Sequence, residues 1–295
     1  MSFSGYVLVT PVRDEERTIG LTIGSVVAQT QRPREWIIVS DGSTDRTNEI
    51  VSDTMREHPW IRLLALPPRN GRDFAAVVRN TERGVRALEC QDYAFLGLLD
   101  ADVSFQADYF EQLLNRFAGN EQLGLGGGVV IDIGTPRDRF PWNRHDVPGA
   151  VQFFRRECFE SLGGLIAIPE GGWDALTCAV ARMRGYETRL FTDLIVDHHK
   201  PRNMAHGGHL RRRWQLGVRD YGLGYHALFE FVKCCGKLHH HPLILGAAAW
   251  WLGYCAAMVQ RRRRLIPAEL VAFVQREQTA RLRQLITQPS SVSAD

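Results

Sequence analysis

The strongest constraint on this chain is an alternation, over its first hundred residues, of short apolar segments with segments of helical spacing. Apolar runs lie at 6–10, 36–39, 61–66 and 93–99, and helical patterns lie at 18–28, 46–57 and 75–88. Strands that are apolar on both faces are typical of a parallel sheet covered by helices on each side. The alternation therefore predicts an α/β fold with a mainly parallel, Rossmann-like sheet flanked by helices.

Three polar clusters directly follow apolar runs, at residues 11–15, 41–45 and 100–102. Ligands of open α/β sheets bind beyond the carboxyl ends of the strands, so we expect these clusters to share one site. The first 130 residues contain neither G-x-G-x-x-G nor G-x-x-x-x-G-K-[ST]. A dinucleotide site or a P-loop therefore has no motif to support it.

The third cluster places Asp100 and Asp102 on either side of the small residue Ala101. Carboxylate oxygens at this spacing can hold Mg²⁺ or Mn²⁺, and the cation would neutralise a diphosphate. An isolated D-x-D can also be a solvated turn with two surface acids. Its position after a buried apolar strand favours the metal-binding interpretation.

The second cluster, Asp41-Gly42-Ser43-Thr44-Asp45, has two compatible interpretations. Ser43 or Thr44 can cap the helix that follows, with Asp45 at the positive end of the helix dipole. That interpretation leaves Asp41 unexplained. A carboxylate at the end of a buried strand is well placed to accept a hydrogen bond from a base or a ribose.

Taken in order, four motifs of this chain resemble those of the family 2 glycosyltransferases. They are Thr10-Pro11-Val12-Arg13-Asp14-Glu15-Glu16, Val39-Ser40-Asp41-Gly42-Ser43-Thr44-Asp45, Asn70-Gly71 with Arg79-Asn80, and Leu99-Asp100-Ala101-Asp102. The resemblance extends over residues 1–200. It implies a GT-A-like catalytic domain with a nucleotide-binding half at 1–103 and an acceptor half at 104–200.

The resemblance also implies roles for individual residues. Those implied to line the nucleoside pocket are Pro11, Arg13, Glu15 and Asp41. Arg72 or Arg79 would approach the diphosphate. Asp100 would contact the ribose or the metal, and Asp102 would bind the metal itself.

Segments 153–159, 162–164, 171–174 and 182–186 resemble the acceptor half of the same family. The family usually has Glu-Asp at the start of a helix that ends at Gly-Tyr, and Asp174 lies eleven residues before Gly185. Asp174 is thus implied to be the catalytic base of an inverting transfer, which takes the proton of the attacking hydroxyl. The alternative for Asp174 is an acid favoured at a helix N-terminus by the dipole.

Residues 193–199 predict a last strand that runs into His198 and His199. In the family, a histidine at the first of these two positions often completes the metal site, and imidazole suits Mn²⁺. We expect His198 to be the ligand, with His199 second. A surface histidine is the alternative for either.

This chain departs from the family pattern at three positions. Asp14 stands where the family usually has Asn, and Trp173 replaces the Glu before the catalytic base. Val103 stands where many members carry a further acid, which leaves fewer carboxylates for a metal.

The C-terminal region, 201–288, differs from the rest in charge. Residues 200–295 carry 15 Lys and Arg against 5 Asp and Glu, whereas the preceding residues carry 21 against 28. Residues 243–259 contain no charge and would form a helix about 26 Å long, at the lower limit for a bilayer span. We expect a re-entrant or interfacial helix with Arg211–Arg213 and Arg261–Arg264 on lipid headgroups.

The alternative for this region is a buried helix packed on the catalytic domain. Nucleic acid would also suit a basic tail, but no zinc spacing, aromatic RNA-binding signature or recognition-helix pattern accompanies it.

Residues 289–295 are expected to be disordered. The N-terminus lacks a secretion signal, and six cysteines without a C-x-x-C pair predict buried thiols in a reducing compartment. We therefore expect the enzyme at the cytoplasmic face of a membrane.

These features predict an inverting glycosyltransferase of hexosyltransferase type that uses Mn²⁺ or Mg²⁺. It would transfer a sugar from a nucleotide-diphosphate sugar to a membrane-associated, polyprenyl-linked saccharide in polysaccharide biosynthesis. A sugar nucleotidylyltransferase is one alternative, although a Gly-rich, Arg- and Lys-containing loop would then follow the first strand. A non-catalytic, nucleotide-sugar-binding membrane scaffold is another, motivated by Trp173 and by the single pair of acids.

Overall fold

The computed structural model describes residues 5–68, 74–135, 144–200, 208–238 and 243–287. The chain divides into two compact units, Met1–Arg202 and Asn203–Asp295. The predictions for Asn70, Gly71, Arg72 and the tail 289–295 fall outside the described residues.

In the described part of the first unit, eight strands form one sheet. They are β1 (Tyr6–Val12), β2 (Glu35–Asp41), β3 (Ile61–Leu66), β4 (Phe95–Leu99), β5 (Val103–Phe105), β6 (Leu123–Asp132), β7 (Val151–Arg155) and β8 (Glu187–His198). Their spatial order is β3-β2-β1-β4-β7-β6-β8-β5. The four strands that the first hundred residues predicted therefore lie side by side.

The sheet is mixed. Strand β1 is parallel to β2 and β4, and β2 is parallel to β3. Strand β7 runs antiparallel to both β4 and β6, and β5 runs antiparallel to β8, while β6 and β8 are parallel. The expectation of a mainly parallel sheet thus holds for one half only. Buried antiparallel strands are as apolar as parallel ones, so hydropathy does not reveal strand direction.

Both faces of the sheet are covered. Along β1, Tyr6 and Leu8 belong to one apolar core, while Val7 and Val9 belong to the core on the opposite face. Successive side chains of a strand point to opposite faces, so this division requires helices on both sides. Each large side chain buried in this way stabilises the fold by about 1.5–3 kcal/mol.

The first unit has six helices among its described residues, and the first three match the helical patterns predicted at 18–28, 46–57 and 75–88. They are α1 (Ile19–Val27), α2 (Thr47–Glu57), α3 (Phe74–Arg86), α4 (Tyr109–Ala118), α5 (Arg156–Ser161) and α6 (Trp173–Met183). The second unit contains α7 (His209–Gly222), α8 (Ala227–Cys235), α9 (Leu243–Val259) and α10 (Ala268–Thr287). The charge-free stretch 243–259 is thus one helix, as its composition predicted.

Helices α7 and α9 pack with their backbones in close approach. A Cβ on Gly217 of α7 would lie 1.9 Å from the carbonyl oxygen of Trp250, and one on Gly253 of α9 would lie 2.2 Å from that of Trp214. Glycine at both positions therefore allows this contact, which buries Trp250, Tyr254 and their neighbours on one side of α9.

Among the helices of the described residues, none is both long and apolar enough to cross a membrane. All six cysteines are free. The expectation that they are buried is wrong for Cys90 and Cys255, which are half-buried, and for Cys235, which is exposed. Isolated cysteines carry no spacing from which their burial could be predicted.

Candidate active site

The loops after β1 and β2 are joined by hydrogen bonds. The amides of Asp14 and Glu15 donate to the hydroxyls of Ser43 (3.1 Å) and Thr47 (2.8 Å). The Asp14 carboxylate in turn accepts the amide of Thr44 at 2.9 Å. Asp14 has a φ of 54°, a left-handed conformation that Asn and Asp adopt more readily than other side-chain-bearing residues. Asp can therefore replace the family's usual Asn here.

Asp45 caps the start of α2. Its carboxylate accepts the amides of Thr47 and Glu16, each at 3.0 Å. Desolvation opposes ionisation, but the Thr47 hydroxyl, which donates to the same carboxylate at 2.5 Å, and these two amides outweigh it and lower the pKa of Asp45. The capping role predicted for Ser43 or Thr44 thus belongs to Asp45, while the Ser43 and Thr44 contacts hold the two loops together.

Asp41 ends β2, is buried, and faces Arg13 from the first loop, with Arg13 Nη1 3.9 Å from Asp41 Oδ2. Gly42 follows with a φ of +66°, and a Cβ there would lie 2.4 Å from the Cα of Pro68. The chain can leave β2 in this direction only with glycine at that position. The structure therefore brings together two residues predicted to line the nucleoside pocket.

Glu15, another predicted pocket residue, forms an ion pair with Lys200, just beyond β8. Its second carboxylate oxygen accepts the hydroxyl of Thr18 at 2.7 Å. The pair joins the loop after β1 to the end of β8. Sequence reasoning missed Lys200, because a single lysine beyond a strand carries no pattern.

Asp102 and His198 face each other at the end of the sheet. Asp102 Oδ2 lies 3.4 Å from His198 Nε2, and the His199 amide donates to the Asp102 carbonyl oxygen at 2.8 Å. His198 is buried, whereas the His199 ring lies 2.8 Å from the hydroxyl of Ser104. Of the two histidines, His198 is the one placed beside the predicted metal ligand.

Asp132 is a further acid at this position. It ends β6, lies opposite His198 in the β6–β8 register, and its Oδ1 is 2.9 Å from His198 Nδ1. Sequence reasoning did not select it. The signal was present, because Asp132 follows an apolar strand just as Asp41 and Asp100 do.

Asp100 lies within the electrostatic range of the other predicted acids. Burial raises its pKa to about 7, and the charge of Asp102 adds to the effect while His198 opposes it. Asp174 and Glu15 raise it further. Carboxylates from three separate segments of the chain, at Glu15, Asp102 and Asp174, therefore lie close enough to raise the pKa of Asp100.

Asp174 is the second residue of α6, and backbone contacts hold it in place. Its Oδ2 accepts the amide of Gly149 at 3.3 Å, and the Gln152 side chain donates to its backbone carbonyl oxygen at 3.1 Å. A Cβ on Gly149 would lie 2.7 Å from the Trp173 ring. Trp173 is buried, so the residue that replaces the family's Glu serves packing here.

The remaining predicted residues have other surroundings. Pro11 lies within β1 opposite Val39 of β2. Arg79 is on the exposed side of α3, and Arg72 falls outside the described residues. The structure therefore gives Pro11 a place in the sheet and leaves the diphosphate role of Arg79 a prediction.

A divalent cation fits the Asp102–His198 pair. Across the part of the chain that the structure describes, no group of three or more His, Cys, Asp or Glu side chains could hold a metal ion. Cations that bind together with a nucleotide commonly use one or two protein carboxylates, with phosphate and water completing the shell. Carboxylate and imidazole both suit Mn²⁺. Two protein donors with Asp100 nearby are therefore the expected set for a diphosphate-bound cation.

An α/β sheet with acids gathered beyond its strand ends defines a class of nucleotide-dependent enzymes, and comparison with known proteins identifies the family. The family described as Glycosyl transferase family 2 matches residues 7–187, more than half of the chain. The chain therefore belongs to glycosyltransferase family 2, as its ordered motifs predicted.

One solved structure shares the fold over nearly the whole chain. It is the mannosyltransferase PcManGT from Pyrobaculum calidifontis, in complex with GDP-Man and Mn²⁺, at 21% identity and a TM-score of 0.56. The likeness covers 96% of this chain and 81% of that one. The fold is thus GT-A-like, an α/β fold with a mixed sheet flanked by helices.

Two curated relatives are similar to this chain over part of their own length. The poly-beta-1,6-N-acetyl-D-glucosamine synthase of Staphylococcus epidermidis is 24% identical over 219 residues, 72% of this chain and 45% of that protein. TuaG of Bacillus subtilis, named as a teichuronic acid biosynthesis glycosyltransferase, is 30% identical over 136 residues, 45% of this chain and 50% of that protein. The chain spans about half the length of these curated relatives.

Proposed function

We propose that this chain is an inverting hexosyltransferase that moves a sugar from a nucleoside-diphosphate sugar to a lipid-linked saccharide during polysaccharide biosynthesis. The observation that carries the proposal is that Asp102, Asp174 and His198 all lie within electrostatic range of Asp100 in a family 2 chain, with Asp102 beside His198. The relatives named for polymer synthesis support the polysaccharide part.

The donor's nucleoside would bind between the loops after β1 and β2. Arg13 and Asp41 offer a donor and an acceptor at the strand end, and the hydrogen bonds between the loops hold both in place before the ligand arrives. Preorganised polar groups of this kind lower the cost of binding, because less freedom is lost on association. Whether the base is uracil, guanine or thymine is left to experiment.

Asp102 and His198, with Asp100 beside them, would hold a divalent cation together with the diphosphate. The cation would supply the positive charge that stabilises the leaving nucleoside diphosphate. The protein's own contribution is to place the two donors 3.4 Å apart at the end of the sheet. The mannosyltransferase that shares the fold was solved with Mn²⁺.

Asp174 would act as the base. The acceptor hydroxyl oxygen bonds to the anomeric carbon while the bond from that carbon to the diphosphate oxygen breaks, and Asp174 takes the hydroxyl proton. The Gly149 amide orients the carboxylate for this task. One carboxylate is sufficient, since the diphosphate leaves without needing a proton.

Turnover of the donor tests the proposal. UDP-, GDP- and dTDP-sugars would be incubated with the chain, with and without Mn²⁺, and release of nucleoside diphosphate would be measured. We expect release from one donor class, loss of release in Asp174→Asn, and near wild-type release in Asp53→Asn, an exposed acid of α2. Full activity of Asp174→Asn would show that Asp174 is not the catalytic base.

The same assay separates the alternatives. A nucleotidylyltransferase would release pyrophosphate from a nucleoside triphosphate and a sugar phosphate. A scaffold would bind a nucleotide, seen as a rise in melting temperature by mass action, without turning over any donor. The buried Trp173 in place of the family's Glu is the feature that keeps the scaffold worth testing.

The lipid part of the proposal rests on an apolar surface of the second unit. Leu245, Leu252 and Val259 of α9 are spaced by seven residues, so they share one side of the helix, and they are 67%, 55% and 78% exposed. That side lies opposite the face buried against α7. Apolar residues on both faces of a helix indicate that the outer face has a partner.

Helix α8 extends this surface. Leu228, Phe231 and Val232 are exposed on α8, and the Phe231 ring lies 5.3 Å from the Trp251 ring of α9, centroid to centroid. Exposed Arg261–Arg263 follow α9 directly. An apolar face beside a cluster of arginines is suited to an anionic lipid surface, with the helix in the interfacial plane. We therefore assign the membrane contact, at the cytoplasmic face, to α8, α9 and these arginines.

Flotation with lipid vesicles tests this surface. We expect the protein to float with phosphatidylcholine vesicles that contain phosphatidylglycerol, and less with phosphatidylcholine alone. Leu252→Asp should reduce flotation, whereas Leu21→Asp, at a 48% exposed leucine of α1, should not. Unchanged flotation of Leu252→Asp would exclude this face, and a dimer that dissociates in Leu252→Asp would assign it to a second copy of the chain.

A further inference from the structure

We infer that Asp132 is a positioning residue whose carboxylate holds the His198 ring so that Nε2 is presented to the metal beside Asp102. The inference rests on the metal site of the proposed function. None of the motifs that carried the family resemblance contains Asp132. Its carboxylate lies at the end of β6, opposite His198 at the end of β8.

The two ring nitrogens of His198 lie between two carboxylates at unequal distances. Nδ1 is 2.9 Å from Asp132 Oδ1, and Nε2 is 3.4 Å from Asp102 Oδ2. An N–H···O hydrogen bond has a usual length of about 2.7–3.2 Å. The geometry therefore assigns the ring proton to Nδ1, where it is donated to Asp132. It leaves the lone pair of Nε2 directed towards Asp102.

An irregularity in the sheet produces this alignment. The β6–β8 register jumps between Gly128, paired with Phe191, and Val129, paired with Ile195, so that β8 contains extra residues. A Cβ on Gly128 would lie 2.3 Å from the carbonyl oxygen of Leu194, so glycine is required where the bulge approaches. β-Bulges occur preferentially next to active sites, where they redirect a side chain. Beyond this bulge, Asp132 and His198 end their strands side by side.

The chemistry of the pair follows from the histidine proton. A neutral imidazole that donates from Nδ1 has an acceptor at Nε2, the form that binds a metal. A carboxylate on the second nitrogen fixes this tautomer and the ring orientation, and its loss typically costs about 10–100-fold in metal affinity. Asp132 would thus act on the cation through His198 without contacting donor or acceptor.

Direct Mn²⁺ binding in the presence of UDP, GDP or dTDP, whichever the donor assay selects, tests the inference. Binding is followed by the electron paramagnetic resonance of free Mn²⁺. We expect Asp132→Ala to weaken binding about 10–100-fold and Asp132→Asn, which keeps an acceptor oxygen, to weaken it less. Asp53→Asn removes the same charge from an exposed site and should leave affinity within a factor of two. Circular dichroism and melting temperature would check that each variant is folded.

The tautomer of His198 provides a readout that a merely structural residue would not change. In metal-free protein with ¹⁵N-labelled histidine, assigned with His198→Gln, we expect the Nδ1–H form in the wild type and a mixture in Asp132→Ala. Equal Mn²⁺ affinity in wild type and Asp132→Ala overturns the inference, as does weaker binding without a change of tautomer. A wild type that binds no Mn²⁺ with any of UDP, GDP and dTDP overturns the metal site of the proposed function as well.

Discussion

Both units bury carboxylates, but they surround them differently. In the second unit Asp220 is fully buried and contacts Arg219 at 2.9 Å, Lys233 at 2.5 Å and Trp250 Nε1 at 2.9 Å. Although burial opposes ionisation, Lys233 and Arg219 lower the pKa of Asp220. In the first unit, burial and neighbouring acids raise the pKa of Asp100 to about 7.

This difference in surroundings distinguishes carboxylates that stabilise the fold from carboxylates that serve a functional site. A buried ion pair with its hydrogen bonds satisfied has its role within the fold, because removing one partner leaves the other buried and uncompensated. Carboxylates held near one another are destabilised in their ionised form until a cation or a proton binds. Such perturbed groups occur frequently at functional sites. The ion pairs of Asp220 are therefore assigned to stability and the acids around Asp100 to catalysis. Burial and the charge of Asp220 also raise the pKa of Glu230 to about 7 although Lys233 contacts it, so the cations beside the acids, and not a raised pKa alone, distinguish the two clusters.

The largest effect is expected when one acid is removed from the group around Asp100, which we assign to catalysis. Asp102→Asn should lower donor turnover about a thousandfold, because the cation that offsets the leaving charge loses a ligand, a loss of several kcal/mol. Its melting temperature should stay at or above that of the wild type, since one repulsive charge is removed. Turnover near the wild-type rate would contradict the assignment.

Replacing an aspartate by asparagine in the second unit, at Asp220, should instead lower the stability of the fold. Asp220→Asn should lower the free energy of unfolding by about 3 kcal/mol, because Arg219 and Lys233 lose a buried carboxylate and Glu230 alone does not replace it for Lys233. Urea denaturation of the whole chain measures this. A loss under 1 kcal/mol would show that the buried cluster is not what stabilises the second unit.

The raised pKa of Asp100 should have a smaller effect than these two substitutions. It should appear in the pH dependence of the free energy of unfolding. Between an unfolded pKa near 4 and the folded value of about 7, the folded state binds more protons than the unfolded state. The free energy of unfolding of the metal-free chain should therefore fall as pH rises through this window. The fall should be weaker in Asp100→Asn, measured by thermal unfolding from pH 4.5 to 7.5, and an identical slope in both proteins would contradict the shift.

The smallest effect is expected at the ion pair between Glu15 and Lys200, where the lysine side chain is 44% exposed. Lys200→Gln should change the free energy of unfolding by less than about 1 kcal/mol, because solvent screens the pair. Any effect on nucleotide binding would then report on the pocket rather than on stability. A stability loss comparable to that of Asp220→Asn would remove the distinction between the two environments.

Much of the site could be predicted from sequence, because the acids follow buried strands and the carboxyl ends of neighbouring parallel strands meet. This reasoning placed Asp41, Asp100 and Asp102 together, and the order of motifs added Asp174 and His198. It missed Asp132, since β6 belongs to the half of the sheet where strand direction could not be predicted. It also missed Lys200, whose partner Glu15 lies far away along the chain.

Local periodicity and the order of short motifs were sufficient to predict the alternation of strands and helices, the length of α9, and the family to which the chain belongs. Tertiary contacts were needed to establish which way β7 runs, which acid lies against Nδ1 of His198, and which cations lie beside Asp220. Those features depend on contacts between residues distant in the chain, and local pattern carries no information about such contacts.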